Sequence, residues 1–94
     1  MKISIIGLGF VGLSFAAVLG SKNYSVLGID NDIQKILKIK NNEIPFYEPK
    51  LKKILNSAQK KSLTVSNDLE FAVRSSDFIF ITVSTPSLPN GEIN

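Results

Sequence analysis

Ninety-four residues, 44% hydrophobic and 20% charged, suffice for one small domain with a buried core and are too apolar for intrinsic disorder. Gly and Pro together make only 10 residues, excluding collagen-like and low-complexity chains, and the net charge of +3 contains no long like-charged run of the kind that binds nucleic acid. With no Cys and no His there are no disulfides, thiol nucleophiles, imidazole bases or ordinary zinc sites, so any chemistry rests on backbone amides, carboxylates, hydroxyls and lysines.

The apolar N-terminus behind Lys2 is broken by Gly7, Gly9 and Gly12 and meets no small-residue cleavage site, so it is not read as a signal peptide. No apolar stretch approaches the roughly 20 residues of a membrane span, and the expectation is a cytoplasmic chain without membrane or nucleic-acid partners. Residues 2–6 are a β-branched run stopped by Gly7, hence a buried strand. Residues 10–21 are apolar almost all round and of helix length, with Ala16 and Ala17 small enough to lie close on a sheet. Residues 25–30 form a second strand ending in an acid. Ile33, Ile36 and Leu37 at i, i+3, i+4 predict a second helix, stopped by Asn41-Asn42.

After a loop at 41–47, Pro49 suits a first helical turn, and Leu51, Ile54, Leu55 and Ala58 form the apolar face of a third helix whose lysines make a solvated face. Residues 63–66 suggest a third strand. Asn67 with Glu70 predicts a helix cap, and Leu69, Ala72 and Val73 the stripe of a short helix. Residues 78–83 are almost continuously apolar and predict a strand buried on both faces.

The order β-α-β-α-α-β-α-β specifies a parallel sheet with right-handed crossovers. A six-stranded doubly wound fold needs two such halves, so the expectation is an α/β, Rossmann-like parallel sheet with helices on both faces, truncated to about four strands and belonging to something longer. In the strand order 3-2-1-4-5-6 the strand at 78–83 lies beside the first and becomes an unpaired apolar edge, which predicts self-association.

The sharpest motif is Gly7-Leu8-Gly9-Phe10-Val11-Gly12, placed after a predicted strand and at the start of a predicted helix. Gly7 permits the tight turn, Gly9 leaves room for a pyrophosphate, and Gly12 lets the helix pack close to the sheet. Phosphates there meet free amides and the positive end of a helix dipole, so the absence of Lys and Arg between Lys2 and Lys22 is no obstacle. Asp30, 18 positions after Gly12, is placed to accept hydrogen bonds from the two adenosine ribose hydroxyls. Its charge would repel a 2′-phosphate, and Asn31 and Asp32 supply no cation, so the cofactor expected is NAD and not NADP. Lys35, one helical turn on, can approach the same ribose. FAD uses a similar turn and acid, but nothing here suggests contacts for an isoalloxazine.

These residues resemble the N-terminal part of the UDP-glucose/GDP-mannose 6-dehydrogenase family over essentially the whole chain. The resemblance rests on Ile6-Gly7-Leu8-Gly9-Phe10-Val11-Gly12-Leu13, Gly28-Ile29-Asp30 with Lys35, Ile44-Pro45-Phe46-Tyr47-Glu48-Pro49-Lys50-Leu51, and Val83-Ser84-Thr85-Pro86 with Asn90-Gly91. The first two blocks occur in many NAD enzymes; the Tyr-Glu-Pro-x-Leu and Val-x-Thr-Pro blocks are much more specific to this family. The resemblance implies an NAD-binding domain whose parent oxidises the C6 alcohol of a nucleotide sugar to a carboxylate in two NAD-linked steps. It implies that Gly7, Leu8, Gly9, Phe10, Val11 and Gly12 hold the pyrophosphate, that Asp30 and Lys35 hold the ribose, and that Val83, Ser84, Thr85, Pro86 and Ser87 line the cofactor. Thr85 would hydrogen-bond the cofactor and Pro86 fix the turn. Glu48, just before Pro49, is read as a charge at a helix N-terminus and Tyr47 as packing.

Phe10 stands where many members have Tyr, Lys50 replaces the usual Gly, and Asn90 and Asn94 stand where acids are common, which weakens a role of the final loop in substrate choice. The family's reaction uses a cysteine nucleophile that carries a thiohemiacetal, and this chain has no Cys, so the 94-residue chain alone is expected to be inactive. Tyr47 favours UDP-glucose as the parent's substrate, while Thr85-Pro86-Ser87 with Asn90-Gly91 also fits GDP-mannose members; a UDP-N-acetylhexosamine is a further alternative. A stand-alone NAD-sensing module is the competing reading, and a reading frame that continues past Asn94 to a later Cys would favour the enzyme.

Overall fold

The computed structural model describes residues 1–44 and 48–82. Its elements are β1 (Lys2–Ile6), α1 (Phe10–Ser21), β2 (Ser25–Ile29), α2 (Ile33–Lys40), α3 (Pro49–Lys61), β3 (Leu63–Ser66), α4 (Leu69–Ser75) and β4 (Phe78–Ile81). The strands form a parallel sheet in the order β3-β2-β1-β4. β1 pairs with β2 from Lys2 opposite Ser25 to Ile6 opposite Ile29, and with β4 from Ile3 opposite Phe78 to Ile6 opposite Ile81. This is the α/β arrangement and strand order expected from the alternation of apolar periods.

Side chains alternate across a strand, so Ile3 and Ile5 of β1, Val26 of β2, and Leu63 and Val65 of β3 share one face. On it they pack with Leu13, Ala16 and Ala17 of α1 and Leu51, Leu55 and Ala58 of α3 in one core. Each large side chain buried there stabilises the fold by about 1.5–3 kcal/mol. The small residues of α1 set the spacing: a Cβ on Gly20 would lie 2.9 Å from both Ala58 Cβ and Leu63 Cβ. α4 covers the opposite face, where Ala72 is buried, Ser76 hydrogen-bonds Ser4, and the Lys2 ammonium stands 5.8 Å from the centre of the Phe71 ring. Helices therefore lie on both faces.

Asparagine ends two of the helices. Asn23 (φ 70°) and Asn42 (φ 61°) adopt the left-handed conformation just past α1 and α2. The next amides then turn back, Tyr24 N–H to Leu19 O at 3.2 Å and Glu43 N–H to Lys38 O at 2.8 Å. Each satisfies a carbonyl that the helix end leaves open. Asn42 is fixed further from α3, since its Nδ2 donates to Asn56 Oδ1 and its Oδ1 accepts from Gln59 Nε2.

Four expectations need correction. In α2 the buried residues are Ile36 and Ile39, whereas Ile33 and Leu37 are exposed, because the helix turns its i, i+3 pair toward α3 and the sheet. The cap of α4 is Asp68, not Asn67: Asp68 Oδ1 accepts the Phe71 N–H at 3.0 Å, while Glu70 pairs with Arg74 at 3.2 Å. Of its anticipated stripe only Ala72 is buried; Leu69 and Val73 are exposed. Finally, β4 is not buried on both faces. Its four residues are 39–69% exposed, because it is the sheet's edge, with Phe15 of α1 meeting Phe80 edge-on at 5.2 Å on one face. An apolar run encodes a tendency to be covered; it does not say which segment supplies the cover.

Candidate functional site

A cleft of about 420 Å³ opens at the carboxyl ends of β1 and β2, lined among others by Gly7, Leu8, Gly9, Asp30, Lys35 and Thr82. It lies outside the carboxyl ends of parallel strands, the place where ligands of such sheets bind.

The turn that forms its floor is built residue by residue. Gly7 extends the β1–β2 ladder by one bond, its N–H reaching Ile29 O at 2.7 Å, then takes φ 98°, which an L side chain resists. Leu8 follows with its side chain wholly buried and its N–H on Asp30 Oδ2 at 2.9 Å. Gly9 is the N-cap of α1 and brings no side chain to the helix mouth. Leu13 N–H then bonds Gly9 O at 2.9 Å as the regular helix pattern begins. No acid stands in the first turn of α1, so nothing in that turn neutralises the positive helix end.

Gly12 sets the tightest contact. A Cβ there would fall 1.8 Å from the Gly7 carbonyl oxygen and 2.3 Å from Thr82 Oγ1. The space it leaves is used: the Thr82 hydroxyl donates to Gly7 O at 2.6 Å and lies 3.2 Å from Ile6 O. The sequence assigns Gly12 to helix–sheet packing; its close approach is to the turn's own backbone and to a hydroxyl just past β4.

Asp30 follows β2 directly, with its side chain 9% exposed. Oδ1 accepts the Asp32 N–H at 3.0 Å, and Oδ2 accepts Leu8 N–H and, at 3.2 Å, the Lys35 ammonium. Burial pushes this carboxyl upward, but the Leu8 and Asp32 amides and the Lys35 ammonium outweigh it and hold the pKa below the ordinary value. Asp32 in turn caps α2, its Oδ1 accepting the N–H groups of Gln34 and Lys35, which fixes where Lys35 leaves the helix.

The structure thus brings Gly7, Leu8, Gly9, Asp30 and Lys35 to one cleft, with Gly12 behind the turn. Phe10 and Val11 open α1 with exposed side chains. Val83, Ser84, Thr85, Pro86 and Ser87 lie outside the described residues, as does Tyr47. Glu48 caps α3, Oε1 accepting Lys50 N–H at 3.3 Å, in keeping with a charge at a helix start. The sequence reading gave no role to two contributors, Thr82 and Gly28, although Gly28 stands in a block shared with the family. Thr82 gives no local signal, since a Thr in an apolar strand is ordinary. Gly28 does give one: a Gly inside a strand marks close approach, and a Cβ there would meet Leu8 Cδ2 and Val65 Cγ1 at 3.2 Å. It makes the hole that seats Leu8.

A dinucleotide suits this arrangement chemically. A side-chain-free helix mouth accepts a diphosphate, and a partly buried, ionised carboxylate beside it accepts a ribose diol.

The whole chain, residues 1–94, matches the sequence model of the UDP-glucose/GDP-mannose dehydrogenase family, NAD binding domain. It is 39% identical over 92 residues to the UDP-glucose 6-dehydrogenase TuaD of Bacillus subtilis, covering 97% of this chain and 20% of that protein. It is 38% identical over 95 residues to a GDP-mannose 6-dehydrogenase of Pseudomonas aeruginosa, covering 100% and 22%. Among solved structures it resembles a ternary complex of GDP-mannose dehydrogenase from P. aeruginosa, with a TM-score of 0.88 and 39% identity over 100% of this chain and 22% of that one. It also resembles a UDP-glucose dehydrogenase from Pyrobaculum islandicum, with a TM-score of 0.86 and 30% identity over 98% and 22%. The chain spans about a fifth of the length of these relatives. By sequence and by fold, the chain belongs to the UDP-glucose/GDP-mannose dehydrogenase family, a family of oxidoreductases, and corresponds to its NAD-binding domain.

Proposed function

We propose that the cleft holds NAD with its pyrophosphate over Gly7, Leu8, Gly9, Phe10, Val11 and Gly12 and its adenosine ribose on Asp30 and Lys35. The observation that carries this reading is the bond from Leu8 N–H to Asp30 Oδ2, 2.9 Å, which joins the glycine turn and the acid into one unit. A diphosphate at the helix mouth puts the adjacent ribose beside that carboxylate. Val83, Ser84, Thr85, Pro86 and Ser87 continue the chain beyond β4 and are assigned to the same cofactor by resemblance to the family.

Residues 1–94 form part of the NAD-binding domain of a longer nucleotide-sugar 6-dehydrogenase, a reading supported by relatives about five times as long. The chain has no Cys for a covalent step, and we infer that it is inactive alone. NAD supplies a hydride acceptor when bound; the residues of this chain bind and orient it. UDP-glucose is the substrate we assign to the whole enzyme, with GDP-mannose the second reading, since relatives of both kinds are similarly close at 39% and 38% identity. We place the protein in the cytoplasm; among the described residues no helix is long and apolar enough to cross a membrane. Among the described residues no strand pairs with the outer edge of β4, which supports self-association of the 94-residue chain.

Titration calorimetry with NAD and NADP tests the cofactor assignment. NAD binds more tightly, and Asp30→Ala weakens it by about 10- to 100-fold, the loss expected for hydrogen bonds to a charged group. Tighter binding of NADP, or an Asp30→Ala variant that binds NAD as the parent does, refutes the assignment.

A further inference from the structure

The Asp30 carboxylate is already crowded. Leu8 N–H and the Lys35 ammonium bond Oδ2, and Asp32 N–H bonds Oδ1. A carboxylate accepts about four hydrogen bonds in all. A ribose diol brings two hydroxyls, so one present donor has to give way. The two amides are fixed by the turn and by the cap of α2, whereas Lys35 carries its charge on a flexible four-carbon stem, with its side chain 28% exposed at the cleft mouth. Lys35 is the donor that can move. Paired or displaced, its ammonium stays within reach of whatever the ribose 2′-oxygen carries.

We propose that Lys35 is a latent ligand for a 2′-phosphate, silenced by its ion pair with Asp30, so that the pair and not the acid alone sets discrimination between NAD and NADP. This rests on the adenosine ribose lying at Asp30. With Asp30 charged, the 2′-phosphate meets an anion and Lys35 is engaged elsewhere. With Asp30 neutral, the repulsion goes and the ammonium is released to a stronger acceptor, the phosphate. Asp32 is another acid close by in the chain; it is committed to the cap of α2 and its charge persists, which limits how far the preference can reverse.

The test is calorimetric titration of NAD and NADP into the parent chain, Asp30→Asn and Asp30→Asn/Lys35→Met, with urea unfolding to confirm that each folds. Asn keeps an acceptor for the Leu8 amide, and Asp30→Ser is the second neutral variant. Asp30→Asn should gain about tenfold in NADP affinity while losing NAD affinity, and adding Lys35→Met should abolish the NADP gain while weakening NAD by a smaller factor. A gain that survives Lys35→Met, or no gain at all, overturns the proposal. Lys35→Met alone leaves Asp30 charged and should not raise the ratio of NADP to NAD affinity; a raised ratio also overturns it. Failure of the site assignment is distinct: the parent chain then binds no NAD, or NAD is indifferent to Asp30→Asn.

Discussion

Gly12→Ala tests an approach that leaves no room for a methyl group. The added Cβ would lie 1.8 Å from Gly7 O and 2.3 Å from Thr82 Oγ1, so the helix and the turn must separate by about 1.2 Å to restore even a 3.0 Å contact. Neither neighbour yields easily. The Gly7 amide is bonded to Ile29 O at 2.7 Å, and Thr82 is tied through its own amide to Ile6 O at 2.8 Å. Overpacking of this kind costs about 1–3 kcal/mol, and loss of the Thr82–Gly7 hydrogen bond adds about 1 kcal/mol. Ala is a better helix residue than Gly by about 1 kcal/mol, which recovers part of this. The steric terms win, and the variant should be less stable by about 1–3 kcal/mol in urea unfolding. Binding should suffer too: losing one amide–phosphate bond corresponds to about a 10- to 100-fold weaker NAD titration. Thr82→Val is the control. It removes the hydroxyl alone, should cost about 1 kcal/mol, and should be rescued by Thr82→Ser. A Gly12→Ala chain that is more stable than the parent and binds NAD equally well would refute the reasoning, since helix propensity alone would then have decided the outcome.

Two further outcomes follow from the same geometry. The folded-state pKa of Asp30 lies below its unfolded value, so its stabilisation is complete above the unfolded value of about 3.9 and is lost as pH falls through the lower folded value. Urea midpoints should therefore fall on acidification below about pH 4, and Asp30→Asn should flatten that limb; an unchanged limb would remove the carboxylate from the account. For the edge strand, sedimentation should show concentration-dependent association, and Ile81→Lys, at the most exposed residue of β4, should suppress it. A monomer at high concentration in the parent chain would show that the edge is protected.

The fold was legible because its instructions are local. Alternation of strand and helix periods, Pro49 in a first turn and Asn42 after α2 each act over a few residues, and each element formed where its residues dictate. The errors of burial share one cause. Ile33, Leu37, Leu69, Val73 and all of β4 are apolar yet exposed, and exposure is decided by what packs on an element from elsewhere in the chain. Periodicity shows that a face is apolar; it carries no information on whether that face is covered.

The site divides along the same line. Glycine spacing and an acid at the end of β2 are backbone requirements, readable because only Gly tolerates φ 98° at residue 7 and only a residue without a Cβ fits at 12. What the sequence concealed is that these parts hold one another. Leu8, between two glycines, reads as an incidental side chain, yet its amide tethers Asp30 and its side chain fills the hole left by Gly28. Thr82 reads as one more strand residue, yet its hydroxyl binds the carbonyl of a turn 75 positions earlier. The cleft is therefore organised before any ligand enters: the acid is oriented by the turn, the turn is braced from β4, and Gly12 makes room for the brace. A cofactor meeting such a site spends little binding energy on ordering it. That is why Gly12→Ala and Thr82→Val, neither of which removes a ligand-facing charge, should weaken NAD binding as well as stability.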